Sequence, residues 1–125
     1  MMNEITLLIA DDNDRIRQVL GRVLGVGKRT LQASDGVEAL EMARAHLPDL
    51  VILDVNMPGR NGHEVCSELR ADPRTRHIPI LMLTGTGAGE NGSAGAEDGP
   101  DARLGKPFSL NELNGWVWAL LQKRA

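Results

Sequence analysis

Residues 50–54 read Leu50-Val51-Ile52-Leu53-Asp54, four consecutive aliphatics that stop at a carboxylate, and the turn-rich segment Asn56-Met57-Pro58-Gly59-Arg60-Asn61-Gly62 follows. So short an unbroken apolar run, bounded by turn formers, marks a strand buried on both faces, as the strands of parallel sheets are. Such a sheet needs covering helices between its strands, so the flanking sequence must switch repeatedly between the two periodicities.

It does so on both sides. Upstream, Ile5-Thr6-Leu7-Leu8-Ile9-Ala10 is a second short apolar run, ending at Asp11-Asp12. Ile16, Val19, Leu20, Val23 and Leu24 then recur at i, i+3, i+4, i+7 and i+8, the stripe of an amphipathic helix with Asp14 placed as its N-cap. Arg29 to Ala33 gives a weaker strand. Asp35-Gly36-Val37-Glu38 has capping-box spacing ahead of Val37, Leu40, Ala43 and Leu47, and that helix must end before Pro48. Downstream, Val65, Cys66 and Leu69 suggest a short third helix, residues 78–83 a fourth strand and residues 102–105 a brief fifth. Ser109-Leu110-Asn111-Glu112 is another capping box, opening a helix with the stripe Leu110, Leu113, Val117, Leu120 and Leu121. The alternation predicts an α/β fold: a doubly wound parallel sheet with helices on both faces, in one domain spanning residues 1–125.

Composition narrows the function classes. Hydrophobic residues make up 42% and charged ones 25% of the chain, as in ordinary globular domains. A net charge of −3 offers little phosphate neutralisation, and Phe108, Trp116 and Trp118 are the only aromatics, so direct nucleic-acid binding is not expected. Cys66 is the only cysteine, which rules out an intrachain disulfide or a Cys-rich metal site and suits a half-buried helix face. No apolar run approaches 18 residues and no basic flank precedes an apolar core, so neither membrane insertion nor a signal peptide is expected, and the location is expected to be cytoplasmic. His46, His63 and His77 are scattered and read as surface residues. Trp118 stands about 120° from the centre of the last helix's stripe, where it serves either edge packing or a partner contact.

In open parallel sheets ligands collect at the carboxyl ends of the strands, beside the point where the winding reverses. The residues there are Asp11 and Asp12 after the first strand, Asp54 after the third, Thr84 after the fourth and Lys106 after the fifth. With the first and third strands adjacent, three carboxylates converge, and hard oxygen ligands with room for water suit Mg²⁺, or Mn²⁺, better than zinc. Thr84 offers a hydroxyl and Lys106 a fixed positive charge. The set suits an incoming phosphoryl group, whose oxygens metal and ammonium share while a carboxylate stays free to attack. Singly, an Asp after a strand is more often a cap or turn former, and a lysine a solvated surface residue. Their grouping on one sheet edge favours a site.

These residues resemble the receiver domain of two-component response regulators over essentially the whole chain. The resemblance rests on Asp11-Asp12, Asp54-x-x-Met57-Pro58 with Gly62, Thr84-Gly85 and Lys106-Pro107-Phe108, each in its place after a strand. It implies a flavodoxin-like five-stranded sheet of order 2-1-3-4-5. It makes Asp54 the phosphoacceptor, receiving a phosphoryl group from the phosphohistidine of a histidine kinase or histidine phosphotransfer protein as a mixed anhydride. Asp12 and Asp54 would bind Mg²⁺ directly, Asn56 through its backbone carbonyl and Asp11 mostly through water. Lys106 would pair with Asp54 and then with the phosphoryl oxygens, Thr84 would be the switch hydroxyl, and the Lys106-Pro107 bond is commonly cis in this family. Pro58, Gly62, Gly85 and Pro107 carry over as structural positions. The resemblance further implies a signalling domain acting on a downstream protein, with self-phosphorylation and self-dephosphorylation as its only chemistry.

Three departures stand out. Arg103 occupies the place, three residues before the lysine, where receivers usually carry Tyr or Phe, so the usual aromatic gating is not expected. Gly85 replaces the usual Ala after Thr84 and keeps its small volume. Third, the slot of a helix between the fourth and fifth strands holds Gly87, Gly89, Gly92 and Gly95, which together cost a helix about 3–4 kcal/mol relative to Ala. A helix over about 86–99 is therefore expected to be short, shifted or disordered. Two other readings remain: a phosphorylation-independent interaction module, motivated by Arg103 and that segment, and a nucleotide-binding enzyme, motivated by Gly87-x-Gly89-x-x-Gly92. A dinucleotide loop follows the first strand and opens a helix, whereas this match follows the fourth strand and precedes a segment poor in helix formers.

Overall fold

The structure is a computed structural model that describes residues 4–84 and 99–123. Its elements run β1 (Thr6–Ala10), α1 (Asp14–Leu24), β2 (Arg29–Ala33), α2 (Gly36–His46), β3 (Leu50–Asp54), α3 (Gly62–Ala71), β4 (Ile80–Thr84), β5 (Ala102–Gly105) and α4 (Leu110–Lys123). All strand pairs are parallel and the order is β2-β1-β3-β4-β5, the flavodoxin-like order expected. Gly85, the glycine fingerprint and the expected weak helix lie outside the described residues, apart from Gly99.

Strand alternation sorts the aliphatics into two layers. Leu8, Ala10, Val51, Leu53, Ile80 and Met82 face α2 and α3, whereas Leu7, Ile9, Ile52, Leu81, Leu83 and Leu104 face α1 and α4. The central strands β3 and β4 are buried along their whole length. An unpaired polar group in such a strand is costly, so polar side chains enter only at the strand ends, and this confines Asp54 and Thr84 to the carboxyl edge. Cys66 is fully buried between α3 and the sheet, deeper than the half-buried face expected.

The helices are rotated from the expected stripes. Asn13, not Asp14, caps α1: its Oδ1 accepts the Ile16 N–H at 3.0 Å, and Asp14 becomes the first helical residue, where its charge meets the helix dipole. Val19 and Val23 are exposed, because α1 shares its face of the sheet with α4 and packs through Ile16, Leu20 and Leu24. In α2 the buried face is Gly36, Ala39, Leu40 and Ala43, leaving Val37 and Leu47 exposed. The small side chains of Ala39 and Ala43 let α2 pack closely on β1 and β2. Asp35 caps α2 as expected, but Glu38 reaches back to Ser34 instead of completing the box on Asp35. Both arms of the Ser109–Glu112 box are present at 3.0 Å, although Leu110 itself is exposed. Strand β4 starts at Ile80, two residues late, since Ile78 donates into a turn to Thr75 and Pro79 has no N–H to give.

Candidate functional site

Because β1 lies between β2 and β3, the chain reverses its winding there, and the carboxyl ends of β1 and β3 open one crevice. Carboxylate oxygens of Asp11, Asp12 and Asp54 all lie within 4.8 Å of one another in it. Asp11 and Asp54 are buried and Asp12 is exposed. From the other side Lys106, after β5, places Nζ 2.9 Å from Asp54 Oδ1, and its own N–H donates to the Thr84 carbonyl at 2.9 Å. Asp11, Asp12, Asp54, Thr84 and Lys106, singled out in the sequence, thus stand on one edge of the sheet.

Two buried oxygens on this edge of the sheet, Asp11 Oδ2 and Thr84 Oγ1, have no hydrogen-bond partner among the described residues. More than nine in ten buried polar groups are satisfied in folded proteins, so two orphans on the sheet edge that carries Asp54 mark a place for a ligand. Burial is the main influence raising the Asp11 carboxyl above its ordinary 3.8; the Asn13 N–H opposes it, the Asp54 charge reinforces it and Lys106 opposes it. Three carboxylates face one ammonium, and all the donors are hard oxygens. That set fits Mg²⁺ or Mn²⁺.

The raised Asp11 carboxyl gives a pH-dependent expectation. An acid whose folded pKa is raised contributes stability below its unfolded value, and that contribution is lost as pH rises through the folded value. In metal-free buffer Asp11→Asn should therefore melt higher than wild type at neutral pH, with the difference shrinking as pH falls toward 3.8. Thermal melts in a chelator across that range check the sign, and added Mg²⁺ should stabilise wild type more than the variant.

The loop after β3 is seated by glycines. A Cβ on Gly62 would come within 2.6 Å of the Asp54 carbonyl oxygen and 2.9 Å of Met82 Sδ. A Cβ on Gly36, at the start of α2, would come within 1.9 Å of the Arg60 carbonyl oxygen. Arg60 also pairs with Glu68 of α3, and Met57 is buried beneath the loop, so Asn56 and Pro58 ride on a segment fixed from three sides. Gly36→Ala should destabilise the domain by about 1–3 kcal/mol, since a backbone carbonyl must move. Gly115→Ala, in open space on α4, should instead stabilise it by about 0.5–1 kcal/mol. Denaturant titration of the pair reads both signs.

The Lys106-Pro107 bond is cis, as the resemblance implied. Beside it, a groove of about 410 Å³ runs between α1 and the chain after β5, walled by Ile16, Val19, Leu20, Phe108 and Leu110 with Lys106 at its edge. Arg103 lies on β5 opposite Met82, half-buried. His46, His63 and His77 are exposed, as is Trp118 at 67%. Sequence reasoning missed Gly36, the Asn61–Glu64 capping box of α3, and Arg17, whose guanidinium reaches the Asp11 carbonyl. The box was legible as Asn-x-x-Glu. An Arg near the positive end of a helix dipole was a second signal.

Fold and site together define a flavodoxin-like α/β domain with a lysine-paired carboxylate cluster at the switch point of its sheet. The family model of the response regulator receiver domain matches residues 7–117, and the chain belongs to that family, the receiver domains of two-component signalling. The response regulator MprA of Mycobacterium ulcerans is 41% identical over 120 residues, covering 95% of this chain and 51% of that protein. The chain spans about half the length of curated regulators it matches. The receiver domain of the Francisella response regulator 1452 superposes with a TM-score of 0.83 at 31% identity, over 95% of this chain and 98% of that one. The receiver domain of the sensor histidine kinase PA1611 from Pseudomonas aeruginosa PAO1, solved with a magnesium ion coordinated in its active site cleft, superposes with a TM-score of 0.82 at 25% identity, over 96% of this chain and 99% of that one. Among the described residues no helix is long and apolar enough to cross a membrane.

Proposed function

We propose that this chain is a phosphoacceptor: Asp54 takes a phosphoryl group from the phosphohistidine of a histidine kinase or histidine phosphotransfer protein, and the phosphorylated domain signals through contacts with a downstream protein. The observation that carries the proposal is the buried Asp54 carboxylate, held by Lys106 at one oxygen, with Asp11 Oδ2 and Thr84 Oγ1 on the same sheet edge buried and without a partner among the described residues. With Oδ1 on Lys106, Oδ2 is the oxygen left to attack phosphorus. The O–P bond forms as the P–N bond breaks, and the electron pair of that bond returns to the imidazole nitrogen.

Asp12, Asp54 and the Asn56 carbonyl would hold Mg²⁺, with Asp11 acting through water, and Mn²⁺ would serve in its place. When bound, the cation supplies charge neutralisation for the transferring oxygens. The related kinase receiver with magnesium in its cleft supports that assignment. Lys106 then moves its charge from the carboxylate to the phosphoryl oxygens, and Thr84 donates its hydroxyl to one of them. A donor presenting phosphohistidine to Asp54 reaches it past the groove beside Lys106, whose apolar walls give it contact area. Residues 1–125 act as one domain in this reading, with no direct nucleic-acid contact of their own.

Arg103 favours a second reading, an interaction module whose binding ignores phosphorylation. Partner affinity that shifts on phosphorylation excludes it. The phosphoacceptor reading is tested by mixing the chain with a small-molecule phosphodonor and measuring its intact mass. One phosphoryl group per chain, dependent on Mg²⁺ and absent in a chelator, is expected; no uptake under either condition would contradict it.

A further inference from the structure

We propose that Arg17 is a positioning residue for the acidic cluster: it fixes the turn between β1 and α1, and thereby the direction of the Asp12 carboxylate. The inference rests on the reading of the cluster as a divalent-cation site. Asp12 is exposed and makes no side-chain hydrogen bond among the described residues, so its orientation is inherited from the backbone of the turn. Besides the Asp11 N–H, which donates to the Ala33 carbonyl of β2 at 3.1 Å, two side chains hold that backbone. Asp11 Oδ1 accepts the Asn13 N–H at 2.9 Å, and Arg17 Nη1 donates to the Asp11 carbonyl at 2.7 Å.

The guanidinium is itself built in. Its Nε donates to Gln32 Oε1 of β2 at 3.3 Å and its Nη2 to Asp14 Oδ1, and the side chain is 13% exposed. Gln32 is seated in turn, because a Cβ on Gly21 would lie 3.0 Å from its Nε2. Arg17 therefore joins β2, the turn and α1 through three acceptors, which the planar fork of Arg can serve at once and the point charge of Lys cannot. An Arg so close to the N-terminus of a helix runs against the dipole, and these bonds are what hold it there. It acts through the Asp11–Asp12 peptide and does not touch the cation.

The test is Mn²⁺ binding followed by the loss of the free-ion paramagnetic resonance signal. Arg17→Ala should weaken Mn²⁺ affinity by about 10-fold or more, in the range seen when partners that orient metal ligands are removed. Arg22→Ala, exposed on the same helix, should match wild type, and Arg17→Lys should fall between the two. Phosphoryl uptake should show the half-saturating Mg²⁺ concentration of Arg17→Ala raised and its maximal rate recovered. Melts in a chelator establish that the variants fold; if Arg17→Ala does not, the loss expected of Arg17→Lys carries the test. Arg17→Ala binding Mn²⁺ as tightly as Arg22→Ala, or losing a rate that saturating Mg²⁺ does not restore, overturns the positioning role. If Asp12→Asn also binds like wild type, the cluster is not the cation site and the underlying reading falls with it.

Discussion

Asp54→Asn is expected to lower phosphoryl uptake by at least about 10³-fold, the scale of loss when a covalent nucleophile is removed. The amide keeps the shape of the carboxylate but has no oxygen able to form the anhydride. It also removes one ligand from a three-carboxylate cluster, so Mn²⁺ affinity should fall together with uptake. The fold should survive. Asp54 ends a strand whose other residues are buried aliphatics, and the substitution lowers the negative charge facing Asp11 while leaving that packing intact. Intact mass after incubation with donor and Mg²⁺, with circular dichroism as the fold control, reads both. Uptake that persists in the variant would remove Asp54 from the acceptor role.

Lys106→Ala carries the second large effect, and its signature separates two roles of one side chain. Its ammonium sits 2.9 Å from Asp54 Oδ1, fixed in advance where phosphoryl charge would develop. Loss of one such preorganised donor costs about 10²–10³ in rate. Metal affinity should move the other way, because taking a positive charge from beside three carboxylates removes repulsion toward a cation. Slow phosphorylation combined with undiminished Mn²⁺ binding is therefore the expected pair of results. Stability without metal should fall by about 1–3 kcal/mol, less than for a fully buried pair because the Lys106 side chain is 29% exposed. The Asp54→Asn, Lys106→Ala double variant should take up no less phosphoryl than Asp54→Asn alone, since both changes act on one step. Additive losses would mean that Lys106 works elsewhere.

The fold was legible because buried strands and amphipathic helices leave different periods in the sequence, and Leu50–Asp54 combined the clearest strand signal with the acidic residue that ends it. The candidate site was legible for a related reason: strands buried along their length tolerate polar side chains only at their ends, so reading the strand ends in order recovers Asp11, Asp12, Asp54, Thr84 and Lys106. Rotation of the helices was not. Ile16, Val19, Leu20, Val23 and Leu24 form one stripe in sequence, but the width of sheet left beside α4 selects Ile16, Leu20 and Leu24, a competition between elements far apart in the chain. Asn13 and Asp14 are both good caps, and only the turn decides between them. Gly36 reads locally as the first residue of a helix, and its close approach to Arg60 exists only once α2 and the loop after β3 are packed. Arg17 is the same kind of case, three acceptors gathered from β2, the turn and α1.

The claim on which the rest depends is that one particular carboxylate forms the anhydride. Borohydride reduces an aspartyl phosphate to homoserine, so reduction of the phosphorylated chain followed by peptide mass mapping locates the acceptor. The account expects homoserine at residue 54 alone. Homoserine at residue 11 or 12, or a phosphorylated chain that yields none, would contradict it.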